Sequence, residues 1–188
     1  MGVTAVLLAG GRSSRMGRDK ASLLYEGRPL AERAVDVLRE IADEIFVASG
    51  DGERLSWLGE RQVADAVPDA GPLGGIVAGL EAANRELVAV LAVDMPFAGA
   101  PILRLLAERW AGGDAVIPRT ERGLEPLHAV YARSAAPVLR AQLEGGVLSV
   151  VRAVEMLDVL EVGPEEWSAA DPSGRFAFNV NRPEDLSR

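Results

Sequence analysis

The run Leu8-Ala9-Gly10-Gly11-Arg12-Ser13-Ser14-Arg15-Met16-Gly17-Arg18-Asp19-Lys20 mixes glycines and cations in a pattern suited to holding phosphate. Glycines let the backbone turn and bring its N–H groups close to an anion, with no Cβ in the way. Arginine adds a flat hydrogen-bonding fork and lysine a mobile point charge, both matched to phosphate oxygens. Four cations against one anion between Arg12 and Lys20 leave a local charge of +3 in a chain whose net charge is −8. Lys20 is also the single lysine, beside 19 arginines. The spacing matches neither the dinucleotide fingerprint nor the P-loop. A solvated surface loop would use the same residue types, so the run by itself leaves both readings open.

Two carboxylates have a similar double reading. Asp94, in Val93-Asp94-Met95-Pro96-Phe97, follows the most apolar stretch of the chain. A carboxylate emerging there must be paired or bind a cation to offset desolvation. Magnesium suits it, taking one or two carboxylates plus phosphate oxygens and water; the other reading is a helix N-cap. Asp65 ends a shorter apolar stretch and carries the same two readings. Gly71-Pro72-Leu73-Gly74-Gly75 reads as a turn leading into a helix, whose N-terminus favours anions. His128, the only histidine, sits among apolar neighbours and reads as structural or as a rim contact, not as a general base. Asn179 and Asn181 fall two apart in what reads as the end of a strand, where they share a face. They would either hold a ligand or tie down the C-terminal turn.

The elements that must position these groups follow from hydrophobic period. Short apolar runs at Thr4 to Ala9, Glu44 to Ser49, Gln62 to Asp65, Leu87 to Val93, Ala115 to Pro118, Leu127 to Ala132 and Leu157 to Val162 read as strands. Leu30, Ala34, Leu38, Ile41 and Ile45 recur at helical spacing, with Pro29 suited to the first helical position. Further helices are expected after the Gly71-to-Gly75 turn through about Asn84, over Ala100 to Trp110 and over Ala135 to Leu143, with a short one at Arg54 to Gly59. Strands alternating with helices predict one three-layer α/β domain over residues 1–188 with a mainly parallel sheet. In such sheets ligands sit beyond the carboxyl ends of the strands.

Composition narrows the classes. The absence of cysteine excludes a disulfide-stapled fold, thiolate zinc sites and a cysteine nucleophile. A net charge of −8 argues against non-specific nucleic-acid binding. No apolar run approaches the roughly 20 residues that span a bilayer. With no basic leader before the first apolar run, a cytoplasmic protein is expected.

Taken together, these segments resemble the molybdenum cofactor guanylyltransferase family, within the wider Rossmann-like nucleotidyltransferases. Leu8 to Lys20 is similar to that superfamily's L-A-G-G-x-S-x-R-M-G-x-D-K loop without a gap, and Gly27-Arg28-Pro29-Leu30 to its G-[KR]-P-L. Gly71 to Gly75 resembles G-P-L-x-G, Val93 to Phe97 a metal-binding x-D-x-P-[FY], Glu125-Pro126-Leu127 an [EQ]-P-[TL], and Asn179 to Leu186 an N-x-N-T-P-E-[DE]-L ending. The resemblance implies a Rossmann-like nucleotidyltransferase fold. It implies that Leu8, Ala9, Gly10, Gly11 and Lys20 contact the nucleotide, that Asp65 lies at the guanosine side and that Asp94 holds Mg2+. Gly74, Gly75, Asn179 and Asn181 would face the second substrate or the nucleotide's other flank. Ser49 stands where some members carry a nucleotide-contacting asparagine, and Arg182 replaces the usual threonine.

The implied reaction is attack by the terminal phosphate of molybdopterin on the α-phosphorus of GTP, with pyrophosphate leaving. Lys20 and Arg15 would steady the triphosphate. A phosphate nucleophile is already ionised, so no histidine base is needed, and positioning with charge neutralisation carries catalysis. The implied partners are GTP and molybdopterin or the molybdenum cofactor, with cofactor-delivering or molybdoenzyme-maturation proteins as candidates. Two rivals share the first loop: a molybdenum cofactor cytidylyltransferase or other small-molecule nucleotidyltransferase, and a non-catalytic GTP-binding cofactor chaperone. Gly74-Gly75 leans towards the guanylyl branch.

Overall fold

A computed structural model of the chain describes residues 2–10, 19–180, 182 and 184–185. Its first strand, β1 (Val3–Leu8), is buried at every position. That is why it reads as an unbroken apolar run: a central strand of a sheet covered on both faces has no polar side. A two-residue hairpin follows, β2 (Leu24–Tyr25) against β3 (Arg28–Pro29), and then α1 (Leu30–Arg39). The hairpin was not legible in the sequence, and Pro29 closes it in an extended conformation (ψ 140°) instead of opening the helix. β4 (Glu44–Gly50) leads through a 3-10 turn at Ser56–Leu58 to β5 (Arg61–Ala64).

Next comes α2 (Pro72–Ala82), then β6 (Leu87–Ala92), α3 (Ala100–Arg109), β7 (Ala115–Thr120), the short β8 (Gly123–Leu124) and β9 (His128–Ala132). The chain continues through α4 (Ala136–Glu144), α5 (Val150–Val154), β10 (Val159–Val162) and α6 (Pro164–Trp167). The main sheet runs β10-β7-β9-β6-β1-β4-β5, with β8 paired to β7. β1 pairs in parallel with β4 and β6, β4 with β5, and β10 with β7. β9 alone in that order runs antiparallel to both neighbours, its first residue His128 facing Leu91 near the end of β6. The start of β9 therefore lies beside the carboxyl ends of the parallel strands.

Two apolar cores flank the sheet. One packs α1 and α3 on Ala5, Leu7, Val47, Ala89 and Leu91; the other packs α2, α4 and α5 on Val6, Leu8, Phe46, Val88 and Val90. Alternate residues of β1 thus serve opposite cores, as the two-residue strand period requires. α2 comes close to the sheet because Gly79 lies against Val6, where a Cβ would meet Val6 Cγ2 at 2.5 Å. Any side chain at position 79 would lift the helix and its N-terminus off the strand ends.

The C-terminal segment departs from the expected strand. No strand forms over residues 176–180: a 3-10 turn at Arg175–Ala177 is followed by chain without ladder partners among the described residues. This segment makes one decisive link instead, Val180 N–H donating to the Asp94 carbonyl at 2.8 Å. Among the described residues, no helix is long and apolar enough to cross a membrane.

Candidate active site

Leu8, Ala9, Lys20, Asp65, Gly75 and Asp94, far apart in sequence, line one cleft of about 260 Å³ beyond the carboxyl ends of β1, β5 and β6. Each arrives by a local device. β1 and β4 stay paired to their ends, Ala9 N–H donating to the Ala48 carbonyl at 2.9 Å, so Ala9 and Gly10 emerge at the rim. After β6 the chain turns sharply. Val93 N–H donates to the Leu8 carbonyl at 3.0 Å and Met95 N–H to the Ala92 carbonyl at 3.3 Å. That turn lifts Asp94 over the strand ends and excludes a helix N-cap role, since α3 begins only at Ala100 and is capped by Gly99.

Lys20 sits at the start of a 3-10 turn (Lys20–Ser22) capped by Asp19, whose carboxylate accepts Ala21 N–H at 3.0 Å. Its Nζ donates to Asp94 Oδ2 at 2.7 Å, with the two side chains 24% and 21% exposed. A cation and a carboxylate from opposite walls of a cleft are thus poised at one point. An incoming phosphate would compete for the first and a metal ion for the second. Among the described residues no cluster of three or more His, Asp or Glu side chains forms a dedicated metal cage. Of the three aspartates lining the cleft, Asp94 meets the lysine ammonium, and a carboxylate placed there fits a hard divalent cation whose shell is completed by phosphate oxygens and water.

Asp65 follows β5, its N–H donating to the Gly50 carbonyl at 3.1 Å. Its carboxylate backs onto Gly10, where a Cβ would lie 3.3 Å from both oxygens. Oδ1 is buried without a hydrogen-bond partner. Burial pushes this carboxyl above the usual aspartate range, and the charges of Asp51 and Asp69 push it further. An acceptor left in that condition costs folding energy unless a ligand supplies a donor.

The helix α2 meets the cleft at its N-terminus. Pro72 is its first residue, so the segment read as a turn is already helical; proline's fixed φ suits that position. Gly71 makes the entry possible with φ +66°. Gly75 lines the cleft, and a Cβ there would press on Ala48 and Leu8 at 3.1 Å. Gly74 is buried behind it, against Ala70 and Asp65 Cβ, its carbonyl accepting Ala66 N–H at 3.1 Å.

Asn179 is half-buried near the Asp94 turn and donates to the Ala177 carbonyl at 3.3 Å. Gly11, Arg15 and Asn181 lie outside the described residues. His128 is fully buried, with Nδ1 3.4 Å from the Phe176 carbonyl and Nε2 unpartnered. Burial lowers its pKa to about 4, so the ring is neutral at physiological pH and remote from solvent. Ser49 does not substitute for an asparagine towards a ligand. It is 2% exposed, and its hydroxyl accepts Gly52 N–H at 3.1 Å and donates to Asp51 Oδ1 at 3.3 Å.

Two features escaped the sequence reading. Arg54, one of 19 arginines, reaches over the strand ends to Asp19 and to the carbonyls of Ala9 and Ser49. Nothing in its sequence neighbourhood marks it. Tyr25, Phe97 and Phe178 join the hairpin, the Asp94 turn and the C-terminal segment, with Phe97 ring centroids 5.6 Å from both partners. Arg175 stacks over Phe97 at 3.5 Å. Such contacts hold together the loop that carries Asp94.

Known proteins with the same architecture complete the description. Residues 5–159 match the MobA-like NTP transferase domain. A probable molybdenum cofactor guanylyltransferase of Chloroflexus aggregans is 38% identical, covering 99% of this chain and 92% of that protein. One of the same designation from Methanosarcina mazei is 39% identical over 97% of this chain and 88% of its own length. Among solved structures, molybdopterin-guanine dinucleotide biosynthesis protein A of Archaeoglobus fulgidus superposes with a TM-score of 0.85 at 29% identity, covering 98% and 95% of the two chains. On its sequence, its sheet and the cleft at the strand ends, the chain belongs to the MobA-like NTP transferase family.

Proposed function

We propose that this protein is a cytoplasmic molybdenum cofactor guanylyltransferase. It transfers GMP from GTP to the terminal phosphate of molybdopterin or the molybdenum cofactor, with Mg2+, and releases pyrophosphate. The observation that carries this reading is the meeting of Lys20 and Asp94 at 2.7 Å beyond the strand ends, in a chain similar over nearly its whole length to proteins of that designation.

An oxygen of the acceptor's terminal phosphate attacks the α-phosphorus of GTP in line. The bond from that phosphorus to the oxygen bridging to the β-phosphate breaks, and pyrophosphate departs with the electron pair. No proton need leave the nucleophile, which agrees with a cleft whose lining holds no histidine. Leu8, Ala9 and Gly10 border the nucleoside. Asp65, with its unpartnered buried oxygen, suits the N–H donors of guanine. Lys20 exchanges its contact with Asp94 for phosphate oxygens and neutralises the charge that builds on the leaving group. Asp94 would hold Mg2+, which would supply positive charge to offset the charge building on the phosphates. Gly75, at the N-terminus of α2, and Asn179 border the acceptor side, with Gly74 supporting the first. Gly11, Arg15 and Asn181 are proposed to share these roles.

Pyrophosphate release with Mg2+ tests the reading, comparing GTP, CTP and ATP, each with and without molybdopterin or its molybdate-loaded form. Release with GTP only, and only with the pterin, is expected. Preference for CTP would overturn the guanylyl assignment, and no release with any nucleotide would overturn the enzymatic one.

A further inference from the structure

We infer that Arg54 is a positioning residue for nucleotide binding, acting through Asp19 to set Lys20 and through Ala9 to hold the rim of the cleft. This rests on the reading of Lys20 as the cation that meets the phosphates. One arm of the Arg54 guanidinium donates to the Asp19 carboxylate; the other donates to the Ala9 carbonyl and, at 3.3 Å, to the Ser49 carbonyl. Ala9 follows β1, Ser49 lies in β4, and Asp19 directly precedes Lys20. One planar group thus joins two strand ends to the turn that carries Lys20, from a place outside the cleft lining.

The coupling to Lys20 runs through Asp19. One carboxylate oxygen of Asp19 accepts from Arg54, and the other caps the 3-10 turn through Ala21 N–H at 3.0 Å. That turn fixes the direction in which the Lys20 side chain leaves the backbone. Without Arg54 the Asp19 carboxylate, half-buried and next in sequence to Lys20, would lose its guanidinium partner. Left unheld, it would compete with the phosphates for the Lys20 ammonium, as Asp94 does.

Arg54 is itself held in place. Asp51 Oδ1 accepts the N–H groups of Glu53 and Arg54 at 2.9 Å each and the Ser49 hydroxyl at 3.3 Å, while Ser49 Oγ accepts Gly52 N–H at 3.1 Å. These bonds hold the Asp51 carboxyl below the usual aspartate range, led by the two backbone donors. The serine that stands in place of an asparagine therefore serves the nucleotide at one remove, by building the turn that aims Arg54. A lysine could not do the same work, because a point charge on a flexible stem cannot serve three acceptors in one plane.

The test compares wild type with Arg54→Ala, Arg54→Lys, Asp19→Asn, the Arg54→Ala/Asp19→Asn double variant and Lys20→Ala. Its readouts are GTP affinity by calorimetry, KM for each substrate, kcat and Tm. Arg54→Ala should weaken GTP binding about 10- to 100-fold, the usual loss for a charge-assisted contact. KM for molybdopterin should change less than twofold, Tm should stay within a few degrees, and Arg54→Lys should recover at most a few-fold. The double variant should bind GTP no worse than Arg54→Ala, because both act on one path. GTP affinity within twofold of wild type in Arg54→Ala, beside an impaired Lys20→Ala, would overturn the role of Arg54 alone. So would equal losses towards both substrates, multiplicative losses in the double variant, or full recovery by lysine. Unchanged GTP affinity in Lys20→Ala would overturn the functional reading on which the route through Asp19 depends.

Discussion

The two ends of the parallel strands use the same residue types to opposite effect. At the amino ends, Glu44 accepts from Thr4 Oγ1 at 3.0 Å, from Asn84 Nδ2 at 2.6 Å and from Asn84 N at 3.3 Å, and it pairs with Arg61 at 3.1 Å. Burial alone would raise that carboxyl, yet the donors from Asn84 and Thr4 and the Arg61 charge hold it below the usual glutamate range. At the carboxyl ends, Asp65 has a buried oxygen without a partner and a raised pKa, and Asp94 meets the Lys20 ammonium. The first end is saturated from within and stabilises the fold. The second is left incomplete, and its missing partners are what a nucleotide and a metal ion would supply.

Five substitutions test this contrast. The largest effect is expected at Asp94 and Lys20: alanine at either should lower kcat about 10³-fold, with Tm unchanged within about 2 °C. A cooperative thermal melt measured beside the pyrophosphate assay checks both, and near-normal turnover in either would remove it from the chemistry. Asp65→Asn comes next. GTP affinity should fall about tenfold or more as a charge-assisted acceptor is lost, while Tm at neutral pH rises. The sign follows from the raised pKa. Ionised Asp65 penalises the folded state above that pKa, the penalty disappears as pH falls through it, and asparagine never carries it. A falling Tm would show that this carboxylate is structural.

Glu44→Ala should do the reverse of Asp65→Asn. It strands the Thr4 and Asn84 donors, and a loss of about 1–3 kcal/mol corresponds to a Tm lower by about 2–10 °C. Kinetic constants for both substrates should remain as in wild type; a changed KM for GTP would contradict the division between the two ends. The smallest effect concerns His128. Its pKa falls from 6.5 to about 4 on burial, so the unfolded chain takes the proton first. The histidine therefore lowers stability as pH drops from about 6.5 towards 4 and has no such effect above that window. His128→Gln keeps an N–H for the Phe176 carbonyl and should flatten that part of the stability profile without altering activity near neutrality.

Much of the cleft was legible because strand ends and glycine punctuation are local signals. The runs around Leu8, Asp65 and Asp94 each end where apolar residues give way to glycine, aspartate or proline, and strand ends gather ligand-binding groups in such a sheet. Other parts were not. The hairpin at Leu24 to Pro29 is too short to show a period, and the β9 direction depends on pairing that sequence does not encode locally. Residues 176–180 carry a strand-like composition, but their polar backbone finds the Asp94 turn instead of a ladder. Ser49 looked like a weak ligand because its position suggested a ligand, whereas its hydroxyl is enclosed by its own turn.

The class of fold, the order of the main strands and helices along the chain, and the residue types gathered for phosphate chemistry are all written in the order of the residues. Periodicity and turn residues act over a few positions, so one dimension is enough to read them. Which charges meet is settled by packing in three dimensions. Lys20 finds Asp94 across 74 residues, Arg54 finds Asp19 across 35, and Glu44 is enclosed by partners 40 residues away on both sides. Whether a carboxylate is satisfied or left waiting depends on how many donors the folded chain brings within about 3 Å, and that number is a property of packing.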